Sequence, residues 1–460
     1  MNETDTIAAI ATPIGEGGIS VIRLSGPDAF KILEKIFRAK SGKPAASFSS
    51  HTIHAGEIRD LEDCVDQVLV SLFRAPHSYT GEDVIEINGH GGLLVTRNVV
   101  NLLIQNGARH AEPGEFTKRA FLNGKIDLPQ AEAVLDLIKA KSERSLAVAA
   151  RQLAGNLSLT FKSLRDRIMT LYAHLEAYLD FPDEDLECYS DLEILKKFGE
   201  VEKNLESLIA SFKRGHLLRE GVSVAIVGRA NTGKSSLFNA LLERDRALVS
   251  HLPGTTRDAL EETLEIEGIA LKLIDTAGFF SSSEQGLDRL AMEKSREALK
   301  EAGLVLYIVD SSSPLGEEDR QVLKEIRAAG KFFVTVLSKS DLSPAWKDEN
   351  LKEWNLCADV KVSSRTREGL AELEKIIGAK IFQGPSDSEG EQVTRLRHKN
   401  ALEKSLEHWK KALQAFGRRD SLELVTVDLK ASLDALRELI GEIYSEDLLD
   451  VIFSEFCIGK

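Results

Sequence analysis

The sequence predicts a multidomain protein: an α+β domain, then an all-α helical domain into which an α/β domain with a phosphate-binding loop is inserted. Three changes of texture predict this. Short apolar runs alternate with glycine turns in SVIRLSG, VDQVLVSLF, DVIEINGHGG and LLIQNGARHAEPG, as expected of short strands and helices. From about Gln130 the spacing turns helical, through AEAVLDLIKAKSERSLAVAARQL and FKSLRDRIMTLYAHLEAYLDF. From Val222, strand, glycine loop, helix and strand follow one another, the rhythm of a parallel α/β sheet.

The expected segments are 1–118 for the α+β domain, 119–216 and 381–460 for the two parts of the helical domain, and 217–380 for the α/β domain. Phe181-Pro182-Asp183 breaks the first helical block, and helix resumes across LEILKKFGEVEKNLESLIASFKRGHLLREG. After the loop GPSDSEGEQ come RLRHKNALEKSLEHWKKALQAF and LELVTVDLKASLDALRELIGEIYSEDLLDVIFSEF. Helices flank the α/β segment on both sides, so a single interrupted helical domain is the economical arrangement. No short solenoid period is visible.

Composition narrows the functional classes. With 460 residues the chain can hold two to four domains, and with 43% hydrophobic residues and 11 prolines it can bury a core in each. The N-terminus is acidic and lacks a long apolar run, and no stretch approaches the roughly 20 apolar residues that span a bilayer. A cytoplasmic protein without a membrane partner is expected. Cys64, Cys188, Cys357 and Cys457 lie far apart with no CxxC pair, which argues for reduced thiols rather than a disulfide framework or a zinc site. The net charge of −14 disfavours broad electrostatic capture of nucleic acid, so any RNA contact is local or shared with a partner.

The nucleotide chemistry starts at Gly228-Arg229-Ala230-Asn231-Thr232-Gly233-Lys234-Ser235, between the strand VSVAIV and the helix SLFNALL. In that context the loop amides cradle phosphates, Lys234 reaches the β and γ phosphates, and the Ser235 hydroxyl ligates Mg²⁺. Asp275-Thr276-Ala277-Gly278 closes the strand IALKLI, where the aspartate holds the magnesium shell and a glycine N–H senses the γ-phosphate. Between them, Gly254-Thr255-Thr256-Arg257-Asp258 reads as a switch loop, with Thr256 completing the shell. Ser338-Lys339-Ser340-Asp341 follows KFFVTVL, and Asp341 can accept from the N1–H and N2–H₂ edge of guanine. Guanine is thereby favoured, and a Ras-like P-loop G domain that binds GTP is the expectation. The usual asparagine of this motif is Ser338 here, a departure that leaves open how O6/N7 is recognised and how tightly guanine is held. Ser363-Ser364-Arg365 supplies a backbone N–H toward O6. The GTP-contacting set is expected to include Ser236 and the run Ser250, His251, Leu252, Pro253, Gly254, Thr255 and Thr256. Phe279 follows Gly278 where Ras-like GTPases place a water-orienting glutamine, so hydrolysis needs another polar group besides Lys234. Asp288, ahead of RLAMEKS, is the first candidate, Glu284 and Glu293 remain open beside it, and a solvated helix start is the other reading of all three acids.

Beyond these motifs, DTIAAIATPIGEGGISVIRLSG, YTGEDVIEINGHGG, EPGEFTKRAFLNGKIDLPQAEAVLDLI, LDFPDED and the terminal CIGK together resemble the MnmE (TrmE) family of tRNA-modification GTPases, and the resemblance covers the whole chain. It implies an N-terminal tetrahydrofolate-binding domain that dimerises, a helical domain, and an inserted G domain that dimerises with GTP. It implies a homodimer working with the flavoprotein MnmG (GidA), in a heterotetramer or larger complex, on C5 of wobble uridine 34 of certain tRNAs. The one-carbon unit comes from 5-formyl- or 5,10-methylene-tetrahydrofolate, and reducing power from FAD and NADH on the partner. At the matching positions Arg23, Glu86, Lys125 and Lys460 would bind the folate, cations suiting its carboxylates and a carboxylate its pterin donors. K⁺ would replace an arginine finger, held by Asn231 and by the loop through Ser250, Leu252 and Thr255. Asp288 stands where the family places a catalytic glutamate, one methylene shorter, and Ala230 replaces a common proline. Cys457 reads either as a nucleophile toward C6 of the uridine or as a buried structural thiol, and His90 as a catalytic base or as part of a glycine-turn scaffold.

Two other classes remain as alternatives. A ribosome-assembly switch of the Era and EngA type shares the G motifs but calls for a basic RNA-binding domain, which the acidic charge disfavours. A self-sufficient folate-dependent transferase with regulatory GTP calls for a flavin-binding glycine fingerprint, which is absent.

Overall fold

The computed structural model describes residues 5–180, 189–248, 261–275, 299–346, 349–381 and 391–460. The chain divides into two compact units, Met1–Leu135 with Gln152–Val201 and Lys404–Lys460, and Asp136–Arg151 with Glu202–Glu403.

In the first unit β1 (Ile7–Ile10), β2 (Gly17–Ser25), β3 (Phe37–Ala39), β4 (Thr52–Asp60), β5 (Asp63–Phe73), β6 (Val84–Gly91) and β7 (Arg109–His110) form one sheet in the order β3-β4-β5-β6-β2-β1-β7. Alternation of period two within SVIRLSG and DVIEING sets its two faces. Ile22 and Leu24 of β2 pair in register with Ile87 and Ile85 of β6. All four enter a core covered by α1 (Ala29–Ile36) and α2 (Leu93–Gln105). Arg23 and Glu86, paired in the same register, therefore stand together on the opposite face.

A partly buried ion network ties Asp5 to this sheet. Glu115, first residue of α3 (Glu115–Leu122) and only 3% exposed, accepts from Arg109 at 2.7 Å and Arg119 at 2.9 Å. Asp5 accepts from the same two arginines at 2.8 and 2.6 Å. Burial raises both carboxyls, but the arginine hydrogen bonds outweigh it and hold them below their ordinary 3.8 and 4.5. Carboxyls lowered on folding contribute stability that is complete above the unfolded values and is lost as pH falls through the folded ones. The thermal midpoint in scanning calorimetry is therefore expected to fall steeply below about pH 4.5. Glu115→Ala, which removes the buried carboxylate but leaves Asp5 on both arginines, is expected to cost about 1–3 kcal/mol at neutral pH and to weaken that pH dependence.

The helical run read from Gln130 is interrupted. α4 (Leu128–Lys139) ends and α5 (Glu143–Leu153) begins because Ser142 and Ser145 each accept from the other's backbone N–H at 3.2 Å, a reciprocal cap that starts a new helix. α6 (Asn156–Asp180) buries Leu157, Phe161, Leu164, Ile168, Leu171 and Leu175, an alternating 4-3 spacing that makes one continuous seam. It packs on α13 (Leu422–Ile440). α12 (Leu396–Gly417) carries the fully buried Trp409, whose indole donates to Phe198 O at 3.0 Å. The final block splits at Gly441, whose φ of 83° ends α13 before α14 (Glu446–Ser454).

In the second unit β8 (Val222–Val227), β9 (Glu261–Ile266), β10 (Ile269–Asp275), β11 (Leu304–Asp310), β12 (Phe333–Ser338) and β13 (Val360–Lys361) form a sheet in the order β13-β12-β11-β8-β10-β9. It is parallel except for the antiparallel β9 at one edge. Every residue of β11 is buried, as a central strand covered on both faces requires. α8 (Lys234–Leu248) and α11 (Leu370–Ile381) contribute to one core, α9 (Glu317–Ala328) and α10 (Glu349–Lys352) to the other. The long α7 (Asp191–Glu220) leads into β8. Its Arg219 and the later Arg395 both donate to Asp136, at 2.8 and 2.6 Å, so one carboxylate ties the chain entering the α/β sheet to the chain leaving it. Among the described residues no helix is long and apolar enough to cross a membrane.

Candidate functional site

Two groups of residues assemble, one in each unit. In the second unit the carboxyl ends of the parallel strands carry the motifs, which is where open α/β sheets bind ligands. The loop after β8 is shaped by Asn231, with φ of 62°, and Gly233, with φ of 91°. Gly228 is required by space, since a Cβ there would lie 2.4 Å from Ile308 O. Lys234 opens α8 and is only 6% exposed; its Nζ donates to Gly228 O at 2.9 Å and to Arg229 O at 2.6 Å, so the ammonium sits inside the curl of the loop. Ser235 and Ser236 are exposed on the first helical turn, and Thr232 is fully buried.

The segment expected to read the base lies beside it. Ser338 ends β12, is buried, and its hydroxyl donates to Thr232 O at 2.6 Å, with Val309 O at 3.2 Å. Lys339, with φ of 57°, sends its Nζ to Asp310 at 2.7 Å. Asp341 accepts from the Ser363 hydroxyl at 2.7 Å, and Arg365 stands 3.8 Å away. The Ser363 bond, opposed by burial and helped by Arg365, holds the Asp341 carboxyl below the usual range, so it is an ionised acceptor. Ser340 N donates to Val362 O, fastening the motif to the segment that leads into Ser363 and Ser364.

Sequence reasoning missed Asp310, which anchors Lys339 and whose backbone carbonyl accepts from the Trp346 indole at 3.3 Å, the same indole donating to Ser313 O at 2.9 Å. An acid closing the otherwise apolar strand LVLYIVD is the signal that could have found it. Asp275 ends β10, in register with Ile226 of β8. Ser250, His251, Leu252, Pro253, Gly254, Thr255, Thr256, Thr276, Ala277, Gly278, Phe279, Glu284, Asp288 and Glu293 lie outside the described residues.

In the first unit the C-terminal CIGK closes on the free face of the sheet. Arg23 donates to Glu86 Oε1 through Nε at 3.0 Å and Nη2 at 2.8 Å, and to Gly459 O through Nη1 at 3.3 Å. Its guanidinium lies 5.5 Å from the Tyr79 ring centroid and 5.6 Å from that of Phe116. Phe116 N donates to Lys460 O and Gly114 N to Cys457 O. Lys125 Nζ donates to Pro76 O, on the loop that carries Tyr79. The predicted Arg23 and Glu86 thus meet, the backbone of Lys460 docks beside Arg23, and Lys125 braces the neighbouring loop. Tyr79, Phe116 and Gly459 went unread. Cys457 is exposed, which removes the buried reading of that thiol. His90 Nδ1 and N both bond Asp66, at 2.6 and 2.8 Å, consistent with the scaffold reading.

Gly459 has φ of 96°, and a Cβ on it would lie 2.2 Å from Ile10 O. Gly459→Ala is expected to unseat the terminal four residues and free Arg23 from its third bond. Limited proteolysis of the C-terminus would then proceed at least about tenfold faster, as loss of roughly 1.4 kcal/mol of local closure dictates; an unchanged rate would remove the steric argument.

The sequence is matched along its length by known proteins. The MnmE helical domain family matches residues 128–457, and the family described as the GTP-binding protein TrmE N-terminus matches residues 6–125. The chain is 45% identical over 462 residues to the tRNA modification GTPase MnmE of Thermoanaerobacter pseudethanolicus, with 99% of each chain covered. It is 45% identical over 467 residues to that of Moorella thermoacetica, again with 99% of each covered. To that of Bacillus subtilis it is 42% identical over 461 residues, covering 99% of this chain and 100% of the relative. Matched end to end by relatives of one name, and by both family descriptions in their order along the chain, this protein belongs to the MnmE (TrmE) family of tRNA modification GTPases.

Proposed function

We propose that the chain is a GTP hydrolase acting in tRNA modification, and that with MnmG it installs the carboxymethylaminomethyl or aminomethyl group at C5 of wobble uridine 34. The observation that carries the GTPase reading is the bond from Ser338 to Thr232 O, which locks the strand end bearing Asp341 to the loop bearing Lys234. Phosphate and base readers are thereby held in one frame. Lys234 supplies a fixed positive charge to the phosphates, and Asp341 accepts from the guanine edge.

The residues present fit the ions that the resemblance implies. Ser235 is an exposed hydroxyl on the first turn of α8, and Asn231 an exposed amide on a left-handed backbone; both offer the hard oxygen donors that Mg²⁺ and K⁺ take. Ser235 and Thr256 would hold Mg²⁺, which neutralises phosphate charge. Asn231, Ser250, Leu252 and Thr255 would hold K⁺ near the phosphates, and Asp288 would orient the attacking water.

The first unit fits a tetrahydrofolate. Both bonds from Arg23 to Glu86 end on Oε1, leaving Oε2 as an acceptor for paired N–H donors, and the Tyr79 and Phe116 rings flank the guanidinium. Lys125 and Lys460 would meet the folate's carboxylates. The segments 1–118, 119–216, 217–380 and 381–460 then act as folate-binding and dimerisation domain, helical domain, G domain and helical domain. The working form is a cytoplasmic homodimer that recruits MnmG with its FAD and NADH, and tRNA.

Steady-state GTP hydrolysis in KCl against NaCl, at equal ionic strength and several protein concentrations, tests this reading. Turnover is expected to be faster in KCl and to rise with concentration. Equal slow rates in both salts would favour a switch of the assembly type.

A further inference from the structure

Ser338 stands where guanine-binding sites of this kind use asparagine, and the structure shows where its single hydroxyl hydrogen goes. Oγ is 2.6 Å from Thr232 O and 3.2 Å from Val309 O. Both neighbours are carbonyl oxygens, which only accept, and a hydroxyl carries one hydrogen. That hydrogen is therefore spent inside the protein whichever carbonyl takes it, and the side chain is only 4% exposed. An asparagine carries two amide hydrogens on a longer arm, so it can fasten the loop and still donate outward. Serine can do only the first.

Guanine N7 is a pure acceptor and needs a donor to be read. The neighbouring cation is committed as well, since Lys339 Nζ is bound to Asp310 at 2.7 Å. On the opposite side of the base the provision is intact: Asp341 is oriented by Ser363 and faces Arg365. Its carboxylate accepts from N1–H and N2–H₂ whether or not N7 is engaged.

We propose that this chain identifies guanine through its N1/N2 edge without reading N7, Ser338 serving as a latch between β12 and the phosphate loop rather than as a base contact. The ligand class it accepts therefore extends to 7-deazaguanine nucleotides, which keep the N1/N2 edge and O6 and carry a C–H at position 7. This inference rests on the guanine-nucleotide reading above and adds to it the specificity of the base pocket.

Isothermal titration calorimetry of the full-length protein with GDP, 7-deaza-GDP and IDP tests it, on the wild type and on Ser338→Asn and Ser338→Ala. Wild-type dissociation constants for GDP and 7-deaza-GDP are expected to agree within about twofold. Ser338→Asn is expected to prefer GDP over 7-deaza-GDP by about fivefold, the worth of one neutral hydrogen bond. Ser338→Ala, which loses the latch alone, should weaken both ligands by the same factor. A wild-type preference for GDP of fivefold or more overturns the proposal, and so does a ratio unchanged in Ser338→Asn; if that variant does not fold, the wild-type ratio decides. Failure of the wild type to bind GDP, or equal binding of GDP and IDP, overturns instead the assignment of Asp341 as guanine reader on which the proposal stands.

Discussion

Lys234→Ala is expected to lower kcat/KM for GTP by about 10²–10³-fold, the loss seen when one preorganised charge-stabilising donor is removed from an active site. The side chain is not a surface lysine swinging in solvent. Its ammonium is almost wholly buried and is held by the carbonyls of Gly228 and Arg229 within the loop it serves. A charge fixed in that way needs little reorganisation when the terminal phosphate develops charge. Alanine removes the charge and also the donor that those two carbonyls share, so nucleotide affinity should fall together with turnover. Single-turnover hydrolysis at saturating protein separates the two losses. Lys234→Arg, which keeps the charge but replaces a compact ammonium with a wide planar head, should recover little. Recovery to near wild-type turnover would show that any local cation suffices.

Asp341→Asn is expected to weaken GTP binding by about 100-fold and to admit XTP. Two hydrogen bonds to an ionised acceptor are each worth about 1.5–3 kcal/mol, and the amide replaces one accepting oxygen with a donor that opposes N2–H₂. Xanthine has a carbonyl at C2, which that donor suits. The carbonyl oxygen of asparagine can still accept from Ser363, whose hydroxyl lies 2.7 Å from Oδ1 in the wild type, so the pocket should keep its shape. Competition binding of GTP against XTP measures the exchange of preference. A variant retaining GTP affinity within threefold would show that Asp341 does not read the base.

The nucleotide site was legible because its chemistry is local. A loop that must wrap phosphate needs its glycines, lysine and serine at set spacing between a strand and a helix, and GRANTGKS announces all of them at once. The bonds that tie motif to motif were not legible. Ser338 to Thr232 and Lys339 to Asp310 cross 106 and 29 positions, and only the parallel order of β8, β11 and β12 brings them together. The other site shows the reverse balance. Arg23 and Glu86 sit in ordinary alternating strands, where each reads as a surface charge until the register of β2 against β6 sets them side by side. The family resemblance named them; their geometry, and the part played by Tyr79, Phe116 and Gly459, came from tertiary structure. The helical blocks were visible from periodicity, but their breaks at Ser142 and Gly441 depend on a cap and a left-handed turn, which periodicity does not encode.

The three tryptophans divide between the two units in a way that makes the molecule optically readable. Trp409 is sealed among helices with its N–H on Phe198 O, so its emission should be blue and inaccessible to acrylamide, reporting only whether the helical packing is intact. Trp346 is half-buried, with its N–H shared by the carbonyls of Asp310 and Ser313, one residue removed from Lys339 through the Asp310 pair. Its fluorescence is therefore expected to respond to movement at Lys339, and with Trp354 replaced by phenylalanine the chain carries one lamp for each unit, an intrinsic means of following nucleotide exchange without an added label.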